Sequence, residues 1–107
     1  MKAKAIVFRP EADADIFALY EYIAQLSGSI KTAYEFTQRV RSTCMKLEYF
    51  SERGTMRNEI KDGLRILIHE HKTVIAYFIH GDIVEITNIF HGGRDWESII
   101  ANENENH

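Results

Sequence analysis

The sequence has one cysteine, one proline and no long apolar run. A single thiol, Cys44, excludes an intramolecular disulfide and any cysteine-rich metal site. No apolar stretch approaches the roughly 20 residues that a bilayer-spanning helix needs. The short apolar run near the N-terminus is followed at once by Arg9, which is unlike a secretory signal. We therefore expect a cytoplasmic protein that contacts no membrane and uses no metal or cofactor.

The chain also lacks a net positive charge. Its formal charge of −3 argues against a general nucleic-acid coat, which needs a cationic surface. The charge is unevenly distributed, however: residues 10–35 hold five acidic residues and one basic residue, and residues 36–65 hold seven basic and four acidic residues. The basic residues of this second segment would ordinarily form a solvated face, but could also receive an acidic partner. They include Arg39, Arg41, Lys46, Arg53 and Arg57.

A length of 107 residues with 45% hydrophobic content predicts one domain with one core. We place that domain at residues 1–101. The last six residues, 102–107, are polar and low in complexity, so we expect a disordered tail that is dispensable for folding.

The first half of the chain predicts a strand followed by two helices. Residues 3–8 form the strand, and Pro10 suits the first position of the next helix, which Gly28 should end. The second helix should run from Ile30 to about Phe50, so the two helices form a hairpin. The apolar stripe of the first helix comprises Ala12, Ile16, Leu19, Tyr20, Ile23 and Leu26, and that of the second comprises Ala33, Phe36, Val40, Cys44 or Thr43, and Leu47.

The second half predicts strands at residues 64–70, 73–79 and 82–90, separated by short turns. The strand at 73–79 is almost entirely apolar and should lie centrally. A further short strand could occupy residues 56–60. The fold class is therefore α+β: an antiparallel sheet in β-α-α-β-β-β order, with the helical hairpin packed on one face.

The last strand leads into a chemically rich loop. An imidazole, two glycines, a guanidinium, a carboxylate and an indole follow one another there, and loops at strand ends commonly carry binding groups. We take this segment as the candidate functional site. It reads His91-Gly92-Gly93-Arg94-Asp95-Trp96.

These elements resemble the RelE/ParE superfamily of toxins from bacterial type II toxin–antitoxin pairs, over residues 3–96. The matching motifs are Ala12-Asp13-Ala14-Asp15-Ile16, Tyr22-Ile23-Ala24, Gly63-Leu64-Arg65, Thr73-Val74-Ile75-Ala76-Tyr77 and Ile89-Phe90-His91-Gly92-Gly93-Arg94-Asp95. They favour the ParE branch. Two features depart from the family pattern: the proline common shortly before Gly54 is absent, and the chain is more acidic than most such toxins.

The resemblance implies a growth-inhibiting toxin whose target would be DNA gyrase. It also implies a cognate ParD-like antitoxin that neutralises the toxin. It leaves two alternatives. One is a RelE-like endoribonuclease that cleaves mRNA on the ribosome. The other is an inactive, toxin-derived binding protein.

A metal-free nuclease needs a base, an acid and cations for the charged phosphorane. Arg65, His91 and Arg94 are the residues that could supply them here. The dense lysine and arginine set of RelE nucleases is missing, however, as is a tyrosine after Arg94, and an indole exchanges no proton at neutral pH. We therefore favour a binding protein with no catalytic residues.

Each candidate also has a purely structural interpretation. His91 could bond a backbone group at its strand end, Arg65 could be solvated or ion-paired, and Arg94 could pair with Asp95. Trp96 could fill the core or act as an exposed anchor. The residues that we expect to bind the target or the antitoxin are Arg57, Arg65, His91, Arg94 and Trp96.

Overall fold

The computed structural model describes residues 2–103. Within that range the chain forms an α+β fold of one five-stranded sheet and three α-helices. The elements are β1 (Ala5–Phe8), α1 (Pro10–Ser27), α2 (Ile30–Met45), β2 (Thr55–Met56), β3 (Arg65–His69), β4 (Thr73–His80), β5 (Ile83–His91) and α3 (Trp96–Glu103). Two 3₁₀ turns, at Lys46–Glu48 and Ser51–Arg53, connect α2 to β2. In residues 2–103 no helix is both long and apolar enough to span a bilayer.

The helical hairpin forms as predicted because its ends carry the right residues. Pro10 begins α1, and Gly28 ends it in the left-handed conformation, with φ of 69°. Ser29 then caps α2, its hydroxyl accepting a hydrogen bond from the Thr32 N–H at 3.1 Å. Two details of the prediction were wrong. Leu26 is 71% exposed rather than buried, and α2 ends at Met45, where the chain tightens into the first 3₁₀ turn.

The sheet has the strand order β1-β5-β4-β3-β2, so β4 is central as predicted. Strands β3, β4 and β5 form the expected antiparallel meander. The sheet is mixed, however, because β1 pairs with β5 in parallel. The sequence could not show this, since the helical hairpin separates β1 from every other strand. The suggested strand at 56–60 is not formed as such: β2 covers Thr55–Met56 and shares only Met56 with it.

The two faces of the sheet have separate cores. One core lies under α1 and α2 and is centred on Ile75, Tyr77 and Ile86. The other lies on the opposite face, where Ile100 of α3 packs with Leu64 and other apolar side chains. We did not predict α3. It includes residues 102 and 103, which we had placed in the tail, and residues 104–107 lie outside the described part of the chain.

Candidate functional site at the end of strand β5

His91 is the last residue of β5 and is held from three sides. Its Nδ1 lies 2.8 Å from the Thr73 hydroxyl on the adjacent strand. The rings of Tyr22 from α1 and Phe36 from α2 meet the imidazole edge-on, with centroids 6.0 and 5.6 Å away. Burial, together with the charge of Lys72, lowers the pKa of His91 below its ordinary value. The imidazole is therefore neutral near pH 7.

The loop after His91 separates two clefts, and we call this region the His91 corner. The first cleft, of about 330 Å³, lies between the loop and α1, where Asp15 and Leu19 face it. The second, of about 640 Å³, lies on the other face of the sheet beside Lys72 and Trp96. Four residues line both clefts and therefore belong to both surfaces: Tyr22, His91, Gly92 and Arg94.

Asp15 closes a gap at the edge of the sheet. Strand β1 ends at Phe8, so β5 has no strand neighbour on that side beyond Ile86. The Asp15 carboxylate takes the place of a strand, accepting hydrogen bonds from the Ile89 N–H at 2.9 Å and from the Asn88 amide at 3.4 Å. Burial raises the pKa of Asp15, while these two bonds and the charge of Arg94 oppose the increase.

Arg94 and Trp96 extend the corner toward solvent. Arg94 is exposed, and its guanidinium lies 5.7 Å from the centre of the Phe90 ring. Trp96 is half-buried at the start of α3. We considered Trp96 either as a core residue or as an exposed anchor, and it combines the two. Its ring packs against the core beneath α3 and also lines the second cleft.

Arg57 is already engaged within the chain. Its guanidinium bonds Glu59 at 2.6 Å and Glu97 at 2.9 Å, and lies 5.4 Å from the centre of the Trp96 ring. These contacts hold the start of α3 against the loop that follows β2. Because two carboxylates already pair with its guanidinium, Arg57 is less available than Arg94 to pair with an acidic partner.

Arg65 lies outside the His91 corner. In the sheet register it stands opposite Tyr77, whereas His69, four residues further along β3, stands opposite Thr73, the neighbour of His91. Four residues of strand correspond to roughly 13 Å. The Arg65 guanidinium instead donates to the Gly54 carbonyl at 2.9 Å and the Glu52 carbonyl at 3.1 Å. The structure therefore brings His91 and Arg94 together and leaves Arg65 apart.

The sequence interpretation missed several residues of the corner, namely Asp15, Tyr22, Phe36, Lys72 and Thr73. One signal was available: Asp15, Ala18 and Tyr22 are spaced as one face of a helix, and a carboxylate and a phenol interrupt the apolar pattern there. The contacts of Phe36 and Thr73 with His91 depend on the packing of distant segments, so no local pattern indicates them.

The corner presents cationic and aromatic side chains to solvent. It offers a cation at Arg94, an exposed ring at Tyr22 and two shallow clefts. Arginine and aromatic side chains are the residue types that dominate interface energetics. Of the described residues that line the two clefts, Lys72 is the only lysine.

Comparisons with known proteins agree with this architecture. The family model described as "ParE toxin of type II toxin-antitoxin system, parDE" matches residues 6–96. Among solved structures, a chain of the chromosomal ParDE toxin–antitoxin system from P. aeruginosa superimposes with a TM-score of 0.73 at 21% sequence identity, covering 83% of this chain and 96% of that one. At this identity the likeness establishes a shared fold. No curated protein sequence matches the chain.

Proposed function

Since this chain belongs to the ParE toxin family of type II toxin–antitoxin systems, we propose that it stops bacterial growth by binding DNA gyrase and that a cognate ParD-like antitoxin neutralises it. The observation that carries the proposal is the separation of the candidate catalytic groups. Arg65 donates to the backbone carbonyls of Glu52 and Gly54 and so lies apart from His91 and Arg94, the other two candidates. A nuclease would need these groups to converge on one phosphate.

Binding without chemistry predicts a graded response to mutation. Arg94→Ala and Trp96→Ala should each weaken binding to the target, typically by about 1 kcal/mol or more of binding free energy for an interface anchor. Toxicity should therefore fall partially in each variant. In a nuclease, His91→Ala should instead abolish activity, since losing a proton-transfer group costs roughly a hundredfold or more in rate. Lys31→Ala is a matched control, because Lys31 is an exposed cation on α2 whose side chain is 85% exposed.

The decisive experiment measures the supercoiling activity of purified gyrase with increasing amounts of the purified chain. We expect inhibition that Arg94→Ala weakens and Lys31→Ala leaves unchanged. In parallel, cells induced to express the chain should filament and activate DNA-damage signalling while their mRNA stays intact. Normal supercoiling combined with rapid cleavage of translated mRNA, lost in His91→Ala, would replace this proposal with the ribosome-dependent nuclease. Normal growth on expression would favour an inactive relative.

The helical hairpin supports the proposal of an antitoxin partner. Large apolar side chains on its outer surface remain exposed, which suits an amphipathic partner segment. The excess of basic residues between 36 and 65 favours an acidic partner, so complex formation should slow as salt rises. Co-expression with the neighbouring small gene product tests this. If that product stays unbound while growth is normal, antitoxin neutralisation is excluded. The exposed apolar residues of the hairpin include Phe17, Tyr22, Leu26, Ile30 and Tyr34.

A further inference from the structure

A further cleft lies at the other end of the sheet from the His91 corner. It has a volume of about 1000 Å³ and is formed by the segment before β1 and the two 3₁₀ turns after α2. Lys4 joins these segments, its N–H donating to the Glu48 carbonyl at 2.9 Å. The turn that starts β5 lies beside the cleft, and His91 ends that strand, roughly 26 Å away. We call this surface the basic cleft.

Cations outnumber acids around the basic cleft. Four of its lining residues are basic, and two, Glu48 and Glu52, are acidic. Among the described residues, the side chains of Lys46 and Arg53 have no ion-pair partner. The basic lining residues are Lys2, Lys4, Lys46 and Arg53.

The remaining two lysines are held only weakly. Lys2 contacts Asp82 at 3.2 Å, with both side chains at least 70% exposed, and Lys4 donates to the Gly81 carbonyl at 3.1 Å. Exposed contacts of this kind exchange with water at little cost. All four cations can therefore turn toward a bound anion.

The cleft also presents two exposed aromatic rings between its cations. Tyr49 is 51% and Phe50 is 62% exposed, although both belong to the short segment that joins the two 3₁₀ turns. Aromatic rings are enriched where proteins anchor partners, and two adjacent exposed rings form an apolar patch of the kind that marks interaction sites. The cleft therefore combines two exposed aromatic rings with four cationic side chains.

The wall behind these rings is rigid. The Tyr77 hydroxyl, fully buried, donates to the Ser51 carbonyl at 2.7 Å and accepts from the Gly54 N–H at 2.8 Å. Arg65 adds two bonds to the carbonyls of Glu52 and Gly54. Four hydrogen bonds from the sheet thus fix the second 3₁₀ turn. A preformed surface binds with less loss of conformational freedom.

We propose that the basic cleft docks an acidic peptide segment of a partner protein, one that carries aliphatic or aromatic side chains between its carboxylates. The cleft and the His91 corner lie at opposite ends of β5, so both can be occupied at once. This docking does not depend on whether the target at the corner is gyrase.

Two other occupants fit less well. A nucleic-acid strand carries a phosphate at every step, so it would place charges beside the carboxylates of Glu48 and Glu52 as well as beside the cations. A second copy that met this cleft across a two-fold axis would bring the cations of one cleft against those of the other. An acidic peptide can place its charges opposite the cations and its apolar side chains against Tyr49 and Phe50.

The test titrates a fluorescein-labelled peptide, Glu-Leu-Glu-Phe-Glu-Leu-Glu, into the full chain and follows anisotropy. We expect saturable binding that weakens with salt, and amide chemical-shift changes concentrated at residues 46–53 of the ¹⁵N-labelled chain. Lys46→Glu should weaken binding at least fivefold, and Phe50→Ala at least threefold. The matched control is Lys31→Glu, which makes the same change in charge on the far end of α2 and should alter affinity less than twofold.

Several outcomes would overturn the proposal. They are an absence of binding, equal binding of the peptide with Gln in place of Glu, and equal weakening by Lys31→Glu. Tighter binding of a ten-nucleotide oligothymidylate would assign the cleft to nucleic acid. Dimerisation of the free chain that Lys46→Glu abolishes would assign it to a second copy.

Discussion

Replacing Tyr77 with phenylalanine measures what anchors the second 3₁₀ turn to the sheet. The substitution keeps the buried ring and removes only the hydroxyl that joins the Gly54 N–H to the Ser51 carbonyl. Both backbone groups would then lack a partner in a buried place. An unsatisfied buried polar group costs about 1–3 kcal/mol, so the variant should lose about 2–4 kcal/mol of unfolding free energy after partial relaxation.

For a domain of this size, such a loss lowers the melting temperature by about 8–16 °C. Circular dichroism on thermal and urea unfolding measures it. The control is Tyr34→Phe, which removes the hydroxyl of a residue on α2 that is 56% exposed and should change stability by less than about 0.5 kcal/mol. If Tyr77→Phe behaved like this control, the anchoring role assigned to the hydroxyl would be wrong.

The Tyr77 side chain leaves no space for a side chain at position 54. A Cβ at this position would lie 2.6 Å from the Tyr77 hydroxyl oxygen and 2.8 Å from the ring. The backbone there is extended, with φ of −71°, so the constraint is steric and not conformational. Gly54→Ala should therefore destabilise the chain by about 1–3 kcal/mol. Combining it with Tyr77→Phe should cost less than the sum of the two, because the phenylalanine removes the nearest of the clashing atoms, the hydroxyl oxygen.

Three further outcomes are expected. Asp15→Ala should lower the free energy of unfolding by about 1–2 kcal/mol, because it leaves the Ile89 N–H unpaired. Asp15→Asn keeps an acceptor and should be nearly neutral. Equal urea midpoints for the two variants would refute the role of Asp15 in capping the sheet edge. Burial lowers the pKa of both His69 and His91 below 6.5, so the unfolded chain takes up protons before the folded chain as the pH falls. The stability of the fold should therefore decrease from about pH 6.5 downward. Urea midpoints that do not change between pH 7.5 and 5.5 would contradict this. Burial raises the pKa of the Cys44 thiol to about 12, so a thiol reagent should label it only as the chain unfolds, and fast labelling of the native protein would show that the thiol is accessible.

Periodicity and end residues predicted the elements whose patterns are local. Pro10, Gly28 and the alternating strands specify their own structure, and the apolar composition of residues 73–79 predicted the central place of β4. The parallel direction of β1 and the existence of α3 were not predictable in this way. The first depends on a partner nearly eighty residues distant, and the second on a short helix whose apolar side packs against the far face of the sheet.

Some residues of the candidate site could likewise be predicted from local sequence, and others could not. His91 and Arg94 were recognisable because a short loop concentrates unusual side chains. Arg65 shows the limit of that reasoning: its position in a strand predicted an outward cation, whereas its guanidinium reaches across to the carbonyls of a turn that local sequence could not place.

The parallel pairing of β1 with β5 has a consequence for synthesis. Ala5 leaves the ribosome first but finds its partner, Ile83, only after 78 further residues have been added. At a translation rate of about 5–20 residues per second, this wait lasts roughly 4–16 s. Because contacts between distant residues close late, the sheet cannot be completed on a nascent or truncated chain that ends before β5. Any property that depends on the finished sheet, the proposed toxicity included, therefore arises only when synthesis is almost over.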